Sequence, residues 1–255
     1  MAKKYKTGLV LSGGGTRGFS HLGTIAALNQ LGIRPDVISG VSAGAIVGAF
    51  IAAGKKPEEV LDIFKRGWFF QYTQIHLPVD GLLKLHGLKE IVDKEIEVKK
   101  IEDLDLPLHI CVSNLNKGRA EYKNSGPLGT TVLASSSIPV LFAPVKLGVY
   151  QYVDGGLMDN IPVDPIKEEC EKLIVSNISP INPTVKMKNL VQIATRTVYM
   201  SVNVKTEEVK KLANYYIEPK GIDKYDIFLR KYADELYELG YQTTMDVFKK
   251  KALLK

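Results

Sequence analysis

Twice near its start, the chain runs an unbroken apolar segment into small residues and begins a helical pattern with almost nothing between. Thr7–Leu11 stops at Ser12-Gly13-Gly14-Gly15. Gly18–Leu31 then places Phe19, Leu22, Ile25, Ala26, Leu28 and Leu31 at helical spacing before Gly32 ends the run. Val37–Val41 runs into Ser42, and an Ala/Gly/Ile helix over Ala43–Ala53 closes at Gly54. Strands apolar at nearly every position are buried on both faces, and strands joined through a helix lie parallel. The pattern predicts an α/β fold with a mostly parallel central sheet covered on both faces.

The rest of the chain extends this order. Pro57 opens a third helix to about Lys65; Leu108–Leu115 reads as a strand with Arg119–Lys123 as its hairpin partner; Leu128–Ile138 reads as a helix stopped by Pro139. Val145–Val153 is expected as one strand ending at Asp154-Gly155-Gly156. Pro162 and Pro165 frame a helix through Lys172, and Leu173–Ile178 is a further strand. Met187–Leu212 and Tyr225–Lys250 read as long helices around a short Tyr215–Ile217 piece. With 255 residues, 45% of them apolar, and no repeat or linker, one domain over 1–255 is expected. Its motif-bearing core covers about 7–180 and its helical C-terminal extension about 187–255. Between Gly67 and Gly87 the period breaks, and Trp68, Phe69, Phe70, Tyr72 and Leu85 crowd into a stretch that reads as a lid, a binding loop or a satellite cluster.

Charge narrows the partners. There are 34 Lys and Arg against 28 Asp and Glu, a net +6, and the lysines gather at the two ends rather than on one aromatic-lined element. That distribution argues against nucleic acid. It suits a solvated surface, and attraction to anionic headgroups if the chemistry concerns lipids. Cys111 and Cys170 stand far apart without CxxC spacing and read as reduced, packed thiols. The basic N-terminus lacks the long apolar stretch of a signal peptide, and no apolar run reaches membrane-helix length. A cytoplasmic protein meeting membranes only peripherally is expected.

Three short motifs carry the chemistry. Gly13-x-Gly15-x-x-Gly18, after a strand and before a helix, matches the dinucleotide fingerprint, but the following strand ends in Ser42 where that fingerprint needs an acid. Glycines at a helix start present unhindered N–H groups backed by a positive dipole end, a nest for a phosphate or an oxyanion. Gly40-Val41-Ser42-Ala43-Gly44 is a GxSxG at a strand-to-helix junction, the setting of a nucleophile elbow. A serine nucleophile needs a base, yet all four histidines (His21, His76, His86, His109) precede Asp154, so the Ser–acid–His order is unavailable. Asp154-Gly155-Gly156, released from a strand by two glycines, supplies a carboxylate instead; shielding from water would raise its pKa and its basicity. Asp154, Asp159 and Asp164 at fivefold spacing read as turn and cap residues, and with no His/Cys cluster neither metal nor cofactor is expected.

Together these motifs resemble the patatin-like phospholipases. Gly13-Gly14-Gly15-Thr16-Arg17-Gly18 is similar to that family's oxyanion motif, Gly40–Gly44 to its nucleophile elbow, and Asp154-Gly155-Gly156 to its Asp-Gly-Gly block. Ala134-Ser135-Ser136-Ser137-Ile138-Pro139-Val140-Leu141-Phe142 is similar to the segment before that aspartate. The resemblance spans residues 7–165 and implies a three-layer α/β/α fold and a Ser42–Asp154 dyad. Backbone N–H groups of Gly13, Gly14 and Gly15 would form the oxyanion hole, with Arg17 adding field or anchoring the loop and Gly18 starting the helix. The implied reaction is hydrolysis of a lipid acyl ester through an acyl-enzyme. The alternatives are an acyltransferase on the same dyad, an NAD(P)-binding oxidoreductase and a non-catalytic regulatory scaffold.

Overall fold

The computed structural model describes residues 3–66, 87–139, 141–180 and 206–253, with the isolated positions 193, 197 and 200. The expected lid at Trp68–Leu85 and most of Met187–Leu212 lie outside the described residues. Among the described residues, eight strands form one mixed sheet: β1 (Tyr5–Leu11), β2 (Val37–Val41), β3 (Leu108–Asn114), β4 (Arg119–Lys123), β5 (Val145–Leu147), β6 (Tyr150–Asp154), β7 (Cys170–Ser176) and β8 (Tyr215–Ile217). Their hydrogen-bonded order is β5-β6-β3-β2-β1-β7-β8, with β4 also on β3. The β1–β2, β2–β3, β1–β7 and β7–β8 pairs are parallel, while β3–β4, β3–β6 and β5–β6 are antiparallel.

Period-two alternation divides the central strands between two cores. Leu9, Leu11, Ile38 and Ile174 face the larger one, and Val10, Val37, Leu173 and Val175 face the smaller. Helices α1 (Phe19–Gln30), α2 (Ala43–Ala52), α3 (Pro57–Arg66), α4 (Leu88–Glu95) and α5 (Leu128–Ser135) contribute to the larger core, as does α7 (Ala233–Leu253). The smaller core is closed by Ile161, Val163, Ile166 and Val209 of α6 (Thr206–Leu212). Every residue of α2 is buried, which its all-apolar composition permits. By contrast α3 is amphipathic, with Pro57 at its first position, Glu58 and Glu59 in the first turn and Lys65 and Arg66 in the last. Helices α1 and α7 approach until a Cβ on Gly23 would lie 1.8 Å from the Tyr237 carbonyl.

Four expected elements come out differently. Val145–Val153 is a hairpin, because Gly148 takes φ +62° and Leu147 pairs directly with Tyr150 around a two-residue loop. In place of the helix expected through Lys172, Asp164–Glu169 is a run of turns, with Asp164 bound to Lys167, and β7 starts already at Cys170. The helix begun at Leu128 ends at Ser135, where the Ser136 and Ser137 hydroxyls turn back onto the Val132 and Leu133 carbonyls. The C-terminal helix starts at Ala233, since Tyr225–Tyr232 is drawn into contacts with the glycine loop and α3. Both cysteines are buried thiols that form no disulfide.

The meeting of β2 and β6 matters most for the site. The β4 ladder covers Ile110–Asn114 of β3 and overlaps both the β2 ladder (Leu108–Cys111) and the β6 ladder (Val112–Asn114). A strand has only two edges, so β2 and β6 share one. β2 climbs it to Val41 opposite Cys111; β6 descends it to Asp154 opposite Val112. The two strands meet head to head.

Candidate active site

Ser42 leaves the top of β2 exactly where Asp154 arrives from β6, and the chain turns into α2 at the next residue. Such a reversal without a linker forces φ +52° and ψ −119° on Ser42, the sole positive-φ non-glycine residue among those described. That backbone is strained for a serine and is held by its surroundings. Gly40 and Gly44 make it feasible. A Cβ on Gly44 would sit 2.1 Å from the Leu11 carbonyl, and one on Gly40 would sit 2.5 Å from the Gly44 carbonyl. The Ser42 N–H donates to Ser135 Oγ at 2.9 Å, and that hydroxyl donates to the Cys111 carbonyl at 2.7 Å, tying the elbow to α5 and β3.

The Ser42 hydroxyl donates to Asp154 Oδ2 at 2.7 Å, and Asp154 Oδ1 accepts the Gly156 N–H at 2.8 Å. Ser42 is 6% exposed and Asp154 5%. Burial pushes the Asp154 carboxyl up to about 7, against the opposing pull of the Ser42 and Gly156 hydrogen bonds. The Asp154 main chain is pinned by Ser137, whose carbonyl accepts its N–H, and by Ser113, whose hydroxyl donates to its carbonyl. Gly155 lies where a Cβ would meet the Cys111 carbonyl at 2.2 Å.

The glycine loop closes the third side. A Cβ on Gly13 would lie 3.4 Å from Ser42 Cβ, and one on Gly18 would lie 3.0 Å from Ala43 Cβ. The Gly13 N–H donates to the Asn160 carbonyl at 3.3 Å, whereas the N–H groups of Gly14 and Gly15 have no hydrogen bond among the described residues. The Gly13 carbonyl accepts from Ser12 and Ser179 hydroxyls. Arg17 turns away from the dyad: its guanidinium donates to the Tyr225 and Asp223 carbonyls at 2.9 Å each. Thr16 bonds Asp226 and Ile227, and the left-handed Gly15 (φ +59°) passes so close to Ile227 that a Cβ would lie 2.3 Å from its carbonyl.

His21 is packed beneath this loop. Its Nε2–H donates to the Ser12 carbonyl and its Nδ1 accepts from Ser176, both at 2.9 Å, and burial pushes it down to about 4. It braces the loop as a neutral ring. His109 lies in β3, and burial lowers its pKa too; His76 and His86 are outside the described residues. Asp159 accepts from the Tyr122 hydroxyl and Asp164 pairs with Lys167, and no group of three His, Cys, Asp or Glu able to hold a metal occurs among the described residues. No described helix is long and apolar enough to cross a membrane. A small apolar cavity lined by Phe19, Leu22, Ile46, Val47 and Phe64 opens beside Gly15 and Ala43.

Sequence reasoning did not single out Ser135 within its segment, nor Ser113, Asn160 or the 223–227 strap. Each acts from a distant element, and only the Asp159-Asn160 turn carried a local signal.

The fold is shared with solved proteins. The chain superposes on VipD from Legionella pneumophila with a TM-score of 0.59 at 17% identity, covering 97% of this chain and 67% of that one. It superposes on ExoU in the ExoU–SpcU complex of Pseudomonas aeruginosa with a TM-score of 0.51 at 17% identity, covering 98% and 52%. In sequence it is 29% identical to the lysophospholipase nte1 of Aspergillus fumigatus over 92% of its own length and 18% of that protein. It is 26% identical to the neuropathy target esterase sws of Drosophila melanogaster over 92% and 19%. The chain thus spans under a fifth of these curated relatives. The family model for patatin-like phospholipases matches residues 9–167, from β1 through the Asp154 loop, and the chain belongs to that family.

Proposed function

We propose that the protein is a serine-dependent lipid acyl hydrolase of the phospholipase A or lysophospholipase type, working through a Ser42–Asp154 dyad. The observation that carries this reading is the 2.7 Å hydrogen bond from a strained, buried serine to a carboxylate whose burial lifts it to about 7. A carboxylate tuned near neutrality is a competent base, because it is ionised yet holds a transferred proton well. Ser42 Oγ attacks the ester carbonyl as its proton passes to Asp154. The developing oxyanion is received by the unspent N–H groups of Gly14 and Gly15. Gly13 supports them from behind through its bond to Asn160, and Arg17 holds the loop rather than the oxyanion. Asp154 then protonates the leaving alcohol, and water releases the acid from the acyl-enzyme.

The relatives are a lysophospholipase and an esterase by name. Exposed Lys249 and Lys250 on α7 suit contact with anionic headgroups, whereas Lys3 and Lys4 are paired with Glu168 and Glu169. A fluorophosphonate probe tests the assignment. Wild type should be labelled on Ser42, Ser42→Ala not at all, and Asp154→Asn about 10⁴-fold more slowly. An adduct on any other serine would overturn the assignment.

A further inference from the structure

Around the dyad, nearly every polar side chain is already spent. Ser135 donates to the Cys111 carbonyl, Ser113 to the Asp154 carbonyl, Ser137 to the Leu133 carbonyl, and Ser12 and Ser179 to the Gly13 carbonyl. Asn160 differs. It is 2% exposed, yet both Oδ1 and Nδ2 are buried without a hydrogen-bond partner. Leaving a buried amide unpaired is costly, so its presence beside the candidate dyad calls for a use.

Its position suggests one. A Cβ on Gly13 would lie 2.5 Å from Asn160 Oδ1 and 3.4 Å from Ser42 Cβ. A Cβ on Gly156 would lie 2.8 Å from the same atom and 3.0 Å from Asp154 Oδ1. The amide therefore fills the space above two glycines, flanked by the nucleophile on one side and the base on the other. A half-turn of the amide presents Nδ2 in place of Oδ1 with the same shape.

On the acyl-enzyme reading above, we infer that the Asn160 carboxamide is a catalytic contact: it donates an N–H to the oxygen that leaves in acylation and to the water oxygen that replaces it. One carboxylate serves both steps, which fixes both oxygens to one place. In acylation the Ser42 Oγ–carbon bond forms, the alkoxy carbon–oxygen bond breaks, and the serine proton travels through Asp154 to the departing oxygen. In deacylation the water oxygen–carbon bond forms, the carbon–Oγ bond breaks, and the water proton returns through Asp154 to Ser42. Asn160 holds the non-serine oxygen each time.

Pre-steady-state hydrolysis of a p-nitrophenyl acyl ester tests this, because nitrophenolate departs without assistance and isolates the water step. For Asn160→Ala, the first turnover should stay within about threefold of wild type while steady-state turnover falls about 100-fold, the usual cost of one lost donor. Intact mass should then show the acyl group accumulating on Ser42. Asn160→Asp keeps size and shape but lacks an N–H when ionised. It should slow deacylation similarly and move the acidic limb of the pH profile upward, through its charge beside Asp154. If burst and steady state fall together in both variants, or Asn160→Asp turns over like wild type, Asn160 is merely a spacer. No acyl group on Ser42 in wild type or in either variant would instead sink the hydrolase reading itself. An adduct in wild type that fails to build up in Asn160→Ala would sink only this inference.

Discussion

The turns Ser12–Gly18 and Gly40–Gly44 both carry the chain from a parallel strand into a helix, side by side on β1 and β2, but they are held in different ways. The elbow is gripped by close approach of its own neighbourhood: Gly44 against the Leu11 carbonyl, Gly40 against Gly44, and Ser42 N–H on Ser135. The glycine loop has close approaches too, Gly15 against the Ile227 carbonyl among them, but it adds a set of polar bonds from far along the chain, through Arg17 to Tyr225 and Asp223, Thr16 to Asp226 and Ile227, and the Gly13 carbonyl to Ser179. Steric confinement gives the nucleophile one conformation and ties it to the stability of the whole core. Polar tethers let a loop be aligned without being part of that core, so its alignment and the protein's stability can be separated.

The sharpest way to break the comparison is Gly44→Ala. The added methyl has only the Leu11 main chain to displace, and we expect a loss of about 3 kcal/mol, seen as a fall in Tm of about 6–12 °C. A variant that melts like wild type would show that the elbow is not sterically confined. Next in size is Arg17→Ala. Losing both tethers should lower kcat about 10- to 100-fold through misplaced donors, with KM little changed and Tm lowered by only about 2–4 °C. Arg17→Lys should rescue poorly, because a point charge cannot span two carbonyls as the guanidinium fork does. Equal damage to Tm in Gly44→Ala and Arg17→Ala would erase the distinction. The smallest effect sharpens it. With Asp154 as the proposed base, which must be ionised to accept a proton and which burial holds near 7, kcat/KM should fall tenfold per pH unit below that value. In Arg17→Ala a loosened loop admits water and relieves that burial, so the acidic limb should move down by up to about one unit, toward the ordinary carboxylate range. A limb that stays in place would mean that the loop does not shield the base.

Much of the site could be read from residue order because a close approach of backbone demands glycine whichever neighbour makes it, so the demand shows in the chain although the neighbour does not. A serine between two glycines at a strand end, an Asp-Gly-Gly after a strand and glycines before a helix are answers to such demands, and the structure places all three together. The elements misread were those decided elsewhere. Pro162–Lys172 looks helical by its prolines but is spent on turns that close the smaller core. Val145–Val153 alternates like one strand, yet the single left-handed Gly148 folds it in two.

Sequence alone therefore singled out Ser42, Asp154 and the glycine loop as candidates, since the elimination of histidine and the glycine spacing depend on nothing but residue identity. Tertiary structure decided how those atoms meet. Two strands running in opposite directions end on one edge of β3, and a strap from residues 223–227 holds the loop facing them. Strand pairing and loop anchoring join residues that are far apart in the chain, and no local pattern encodes which distant carbonyl or edge will be the partner.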